Sequence, residues 1–205
     1  MRYEAADKAI KEMNRANLKA FGRLKMAKWD ELNVIRDVQA VYAASIRMAK
    51  RKYLRVYRDA YYEFLLEYGF TEAAARRMTD KVSDDWLIEF LEEADPVTLY
   101  AFLPEADRKM WRLIEALAVA TDKRREIDKA LRYWTFQVGQ YADNALILGR
   151  IRAMKAAGVQ MVRWRTQEDE RVCEDCEPLD NRVFPINAMP QLPAHPRCRC
   201  WCESA

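Results

Sequence analysis

The sequence predicts a mainly α protein: an elongated helical bundle with long helices, followed by a small C-terminal β-hairpin and zinc-knuckle module. Three observations predict it. Apolar residues recur at helical spacing through two stretches of more than thirty residues. Gly158 is the last glycine, and five of the seven prolines (Pro178, Pro185, Pro190, Pro193, Pro196) lie beyond it. All five cysteines and the single histidine fall between positions 173 and 202. The expected division is therefore a helical body over 1–158 and a metal-binding module over 159–205.

Residues 4–28 read as a first helix, rich in Ala, Lys, Glu and Met. The second, about 31–68, carries Ile35, Val38, Tyr42, Ile46, Ala49, Tyr53, Tyr57, Ala60, Phe64 and Tyr68 on one stripe. The steps of that stripe average about 3.67 residues, the rhythm of a nearly straight helix with slight right-handed coiling. Gly69 ends it. Thr71 and Ser83 are expected to cap shorter helices over 72–81 and 84–94. Asp95-Pro96 marks a boundary, with a short helical turn from Pro96 through Phe102. Pro104 suits the first turn of another helix, ending near Ala120. Thr121 or Asp122 caps a long final helix to about Ala157, whose stripe is Ile127, Leu131, Trp134, Val138, Tyr141, Ala145 and Leu148. Val159–Trp164 has strand character, and Asp180-Asn181 forms a turn before a second strand over 182–186.

The chain of 205 residues is 51% hydrophobic and 33% charged, enough to bury a core. Its formal net charge is +3. From Val159 on there are six arginines, no lysine and eight acidic residues, so the tail is acidic and the body carries the positive charge. The N-terminal residues lack an apolar stretch behind their charges. No apolar run approaches the ~18 residues needed to span a membrane. The expectation is synthesis in a reducing cytoplasm and no membrane association.

Cys173-x-x-Cys176 is followed, after eighteen residues, by His195-Pro196-Arg197-Cys198-Arg199-Cys200. These are zinc-ligand types at zinc-ligand spacing. Two pairs fill a tetrahedral sphere and leave no open position, so the expected zinc is structural. Cys173 and Cys176 are one pair. His195 and Cys198 are favoured as the other, because an extended 198–202 would hold same-face thiols ~6.5 Å apart; Cys200 is the substitute. Trp164 is expected to cover the apolar side of the module. Asp169, paired with Arg171 or Arg199, is expected to hold its halves together.

Catalytic signatures are missing from the sequence. There is no HExxH, Walker loop or GxGxxG, and the CxxC lacks a thioredoxin-like βαβ context. The expectation is a protein that is not an enzyme. Arg47, Arg51, Arg55 and Arg58 fall on one side of the second helix, as a solvated face or as a contact for DNA phosphates or an acidic partner. Tyr53, Tyr57, Tyr61, Tyr62 and Tyr68 are mostly core and boundary residues by this reading, with some facing a partner.

Trp164, Thr166, Asp169-x-Arg171-x-Cys173-x-x-Cys176, Leu179-Asp180, Phe184 and His195-Pro196-x-Cys198-Arg199-Cys200 together resemble the C-terminal signature of the phage Mu F-like minor head proteins, the head-morphogenesis proteins of tailed phages. Asp95-Pro96-Val97-Thr98-x-Tyr100 and Glu105-x-x-Arg108-Lys109 resemble a segment of members from phages of Gram-positive bacteria. Asn181 stands where members often have Gly, and Cys202 is an extra thiol. The resemblance implies a virion protein of few copies, near the portal of the phage head. It implies association with the portal protein, with scaffold or major capsid protein as further partners. It also implies a part in procapsid assembly and in DNA packaging or ejection; non-specific contact with packaged DNA is an expectation of the arginine run on the second helix. The alternative class is a zinc-knuckle nucleic-acid-binding or regulatory adaptor.

Overall fold

A computed structural model describes residues 4–27, 31–85, 102–167, 172–194 and 198–205. Among them are five α-helices: α1 (Glu4–Lys25), α2 (Glu31–Glu67), α3 (Glu72–Asp80), α4 (Phe102–Val119) and α5 (Lys123–Ala156). Three short strands follow: β1 (Met161–Arg165), β2 (Val183–Pro185) and β3 (Trp201–Ser204). The fold class is the expected one, a helical protein with a small C-terminal sheet. The expected helix over 84–94 and the turn after Pro96 lie mostly outside the described residues. No described helix is long and apolar enough to cross a membrane.

The helix ends follow from local chemistry. Thr71 accepts a hydrogen bond from the Ala74 amide at 3.3 Å and starts α3. Asp122 accepts from the Arg125 amide at 3.0 Å, so Asp122 is the side chain that caps α5. The ends of α2 and α5 share one device. Gly69 and Gly158 adopt φ of 95° and 80°, and the next amides reach back, Phe70 to the Leu65 carbonyl at 2.9 Å and Val159 to the Met154 carbonyl at 3.0 Å. This is the left-handed helix stop that glycine makes inexpensive.

The chain forms two compact units, Met1–Leu54 with Asp85–Ala142, and Arg55–Asp84 with Asp143–Ala205. The first is held by a chain of rings. Phe21 meets Tyr42, Tyr42 meets Trp134 at 4.9 Å, and Phe102 contacts Trp134, Tyr141 and Tyr53 at 5.0–5.7 Å. Its buried polar atoms form a relay: Trp134 Nε1 donates to Ser45 Oγ at 2.8 Å, and Ser45 donates to Asn17 Oδ1 at 2.6 Å. Tyr53 donates to the Val138 carbonyl at 2.9 Å. Such pairing offsets the cost of burying the paired atoms, while Asn17 Nδ2 is buried with no hydrogen-bond partner among the described residues.

In the second unit α5 crosses the end of α2 at Gly149. A Cβ there would stand 2.2 Å from the Tyr57 carbonyl oxygen. Arg150, buried beside it, grips Glu67 through two hydrogen bonds of 3.3 and 2.8 Å and covers the Phe64 ring. The sheet completes this unit, with β1 between β2 and β3 and both pairings antiparallel. The expected hairpin is thus a three-stranded sheet. On β1 the buried residues alternate, Val162 opposite Phe184 and Trp164 opposite Cys202.

Tyr53, Tyr57 and Tyr61 are all buried in these cores, and Tyr62 is half-buried and hydrogen-bonded to Arg76. Long side chains on the inner stripe of α2 are what fill the space between helices. None of these four is available as a fully exposed anchor for a partner.

Two glycines of α5 give a paired prediction. Gly149→Ala forces backbone apart and should destabilise the chain by at least about 2 kcal/mol. Gly139→Ala meets only the Ile10 side chain, at 3.8 Å, and should stabilise by about 0.5–1 kcal/mol through helix propensity. Denaturant titration of both variants checks the signs; a neutral Gly149→Ala contradicts the close helix crossing.

Candidate metal centre

The site is built by two tight segments brought together beside the sheet. In the first, the Cys173 carbonyl accepts from the amides of Cys176 and Glu177, each at 3.0 Å. This turn folds Cys176 back toward Cys173 and runs into a 3-10 turn over Glu177–Leu179. Asp180 then anchors the segment to the end of β1, accepting from the Thr166 amide at 2.8 Å and its hydroxyl at 3.1 Å. Asn181 takes φ of 61°, the left-handed conformation the sequence predicts for it. Its amide donates to the Trp164 carbonyl at 2.9 Å and leads the chain into β2.

The second segment is Cys198–Cys200, immediately before β3. Cys176 Sγ lies 3.9 Å from Cys198 Sγ. The sulfurs of Cys176, Cys198 and Cys200 all lie within 4.8 Å of one another, and all three residues are buried. Zinc–sulfur bonds of ~2.3 Å in a tetrahedron set sulfur–sulfur edges of about 3.8 Å. A disulfide requires about 2.05 Å. The spacing is that of ligands around one ion, and the cysteines are free thiols. Cys173 is half-buried and hydrogen-bonded to Cys176.

The electrostatics agree with this geometry. Burial, then hydrogen bonding with Cys173 and the proximity of Cys198, push the Cys176 thiol up to about 12. Cys200 is pushed up first by its hydrogen bond with Cys198 and then by burial. Crowded thiols cannot ionise together without a cation. A divalent ion reverses the balance, because thiolate is the ligating form.

Cys176 and Cys198 meet as the sequence suggests. Cys200 joins them: its sulfur lies within 4.8 Å of those of Cys176 and Cys198. The ~6.5 Å separation expected for same-face strand residues is not what the Cys198 and Cys200 sulfurs show. Cys202 lies in β3, with its thiol 3.9 Å from the Met154 sulfur, and belongs to the packing between sheet and α5. His195, Asp169 and Arg171 lie outside the described residues. Trp164 is buried at the centre of the sheet. The Arg199 side chain is exposed, and its carbonyl accepts from Gln167 at 3.3 Å. Sequence reasoning missed the Asp180–Thr166 clamp, although both residues stand in the quoted signature.

The arginine series on α2 is unequal. Arg58 is held by Asp84 through hydrogen bonds of 3.0 and 2.7 Å, and Arg55 lies 3.6 Å from Asp59. Arg47 and Arg51 are exposed.

A helical protein whose last residues form a three-stranded sheet beside a buried thiol cluster is the class defined so far. The comparison with known families is specific. The family model described as phage Mu protein F like protein matches residues 113–203. Over this stretch, from the second half of α4 through the sheet and the cysteines, the chain is similar to the phage Mu F-like family, and the match supports a head-morphogenesis protein. It begins at Leu113, so the likeness read at 95–109 lies outside it. No curated protein and no solved structure matches the chain.

The two thiols nearest the C-terminus separate the roles. Cys200→Ser should lower Zn2+ uptake by the purified chain at least tenfold, whereas Cys202→Ser should leave it unchanged. Colorimetric metal titration measures both; loss in Cys202→Ser with retention in Cys200→Ser refutes the geometry.

Proposed function

We infer that this chain is a minor component of a phage head, a portal-associated assembly protein and not an enzyme, with a tail locked by one structural zinc ion. The observation that carries the zinc reading is the buried triad of Cys176, Cys198 and Cys200 at ligand spacing. The head assignment rests on the family match over 113–203. Cys173, hydrogen-bonded to Cys176, supplies the fourth ligand by this reading; His195 is the competing choice. When bound, zinc supplies charge neutralisation and a cross-link. The chain's own residues hold the two segments together: Asp180 fixes the first to β1, and β3 carries the second.

The fourth ligand is decided by a pair of variants. Cys173→Ser should release the ion and His195→Ala should retain it; the opposite result returns His195 to the site. In either variant that loses metal, protease should cut within 160–205 while helical circular dichroism largely survives.

By this reading the helical body meets the portal. Among the described residues of the helical body the exposed aromatic residues are Tyr68, Trp111, Tyr133 and Phe136, each about half-exposed; the last three lie on α4 and α5. Aromatic anchors of this kind carry a large share of interface energy. Co-expression with the portal protein of the same phage, followed by size exclusion, should give a joint peak. Tyr133→Ala with Phe136→Ala should weaken it by tenfold or more. Failure to co-elute with portal, together with absence from purified heads, overturns the assignment and favours a free zinc-knuckle adaptor.

A further inference from the structure

Between α1 and the first turns of α5, within the first helical unit, lies a groove of about 700 Å³. Leu18 of α1 and Leu131 of α5 supply its apolar lining. Leu131 is buried, but Leu18 is 59% exposed. Helical spacing places Arg124, Arg125, Asp128 and Arg132 on the same side of α5 as Leu131, and all of them line the groove. The α5 wall is held in place locally. Asp122 caps the helix through the Arg125 amide at 3.0 Å, and Lys123 donates to the Leu117 carbonyl at 2.6 Å. Lys25 pairs with Asp128 and ties α1 to α5. The two carboxylates of the lining are thus engaged, whereas the arginines are not. Arg124, Arg125 and Arg132 are exposed, and among the described residues no carboxylate pairs with any of these three.

We propose that this groove binds an acidic, amphipathic helical segment of a partner protein. An apolar side chain of the segment covers Leu18, and its carboxylates meet Arg125 and Arg132 in two-pronged pairs. Arg125 and Arg132 are seven residues apart, which is about 10 Å along α5 at ~1.5 Å per residue. A helix lying beside α5 presents carboxylates at the same two-turn interval, with an apolar residue one turn from each. The two kinds of lining select this ligand together. A nucleic-acid backbone offers anions alone and leaves Leu18 uncovered, and the groove lining holds no aromatic residue on which a base could stack. A neutral apolar helix covers the leucine but takes the guanidinium groups out of water without pairing them. The groove uses neither the arginines of α2 nor the exposed aromatic residues of α4 and α5. It is independent of the metal centre and of the head assignment.

The probe is a fluorescein-labelled peptide of about four helical turns, with leucines along one face and glutamates on both flanks. Fluorescence anisotropy with the full, metal-loaded chain should show saturable binding tighter than about 1 mM at ~150 mM salt. Arg125→Gln/Arg132→Gln should weaken it at least tenfold, and so should Leu18→Ser, with helicity and metal content unchanged because all three side chains are exposed. The same peptide with Gln in place of Glu, or with Ala in place of Leu, should also bind at least tenfold more weakly. Arg47→Gln/Arg51→Gln, on α2, should leave the affinity as it is. Absence of saturable binding overturns the proposal, as does full affinity in Leu18→Ser or an equal fall in the α2 variant. Displacement of the peptide by duplex DNA as effectively as by unlabelled peptide of equal charge overturns the choice of a protein segment. Self-association of the chain that the peptide reverses assigns the groove to a second copy and overturns it likewise. Metal content and portal co-elution, read on the same samples, fail or hold separately.

Discussion

The tail depends on the meeting of two segments that are twenty-two residues apart at Cys176 and Cys198. Among the described residues between them the chain has little of its own to hold it: one 3-10 turn and a three-residue strand. Such a segment buries too little apolar surface to offset its ordering entropy. On the proposed reading, a metal cross-link supplies what the core does not. With both segments fixed, β2 and β3 reach opposite edges of β1, and Trp164 is enclosed.

That small assembly is seated on helix ends whose shape is set by backbone constraints. Gly149 lets α5 approach the Tyr57 carbonyl, and Arg150 locks the same crossing through Glu67 and Phe64. Gly158 then stops α5, and β1 begins three residues later. Met154, in the last turns of α5, meets Cys202 of β3. The position of the thiol cluster is thus inherited from a helix crossing more than twenty residues upstream of Cys173. A defect at Gly149 should be felt in the tail as well as in the helices.

Much of this was legible in the sequence, for identifiable reasons. The stripes of α2 and α5 are long and regular, so helix existence was plain, and Gly69, Thr71, Asp122 and Gly158 marked their ends. Asn181 announced its left-handed turn. Periodicity could not show how tightly helices cross, so the need for a glycine at 149 was invisible. Counting tyrosines overstated the anchors left for a partner, because Tyr53, Tyr57 and Tyr61 all point inward. Cysteine spacing pointed to the thiol cluster but not to its membership. Choosing between Cys198 and Cys200 required the backbone path before β3, which depends on pairing with β1 and has no local signal. The arginines of α2 could be placed on one side, but Asp84, which neutralises Arg58, is distant in sequence.

The central claim is that an ion clamping the cysteine segments holds the sheet in place. Hydrogen–deuterium exchange on the zinc-loaded chain, before and after removal of metal by a chelator, tests it most directly. The account predicts that amides of Val162–Arg165 and Trp201–Ser204 lose protection when the ion is removed, while those in the middle of α2 keep theirs. Equal protection of the strands with and without metal would contradict it.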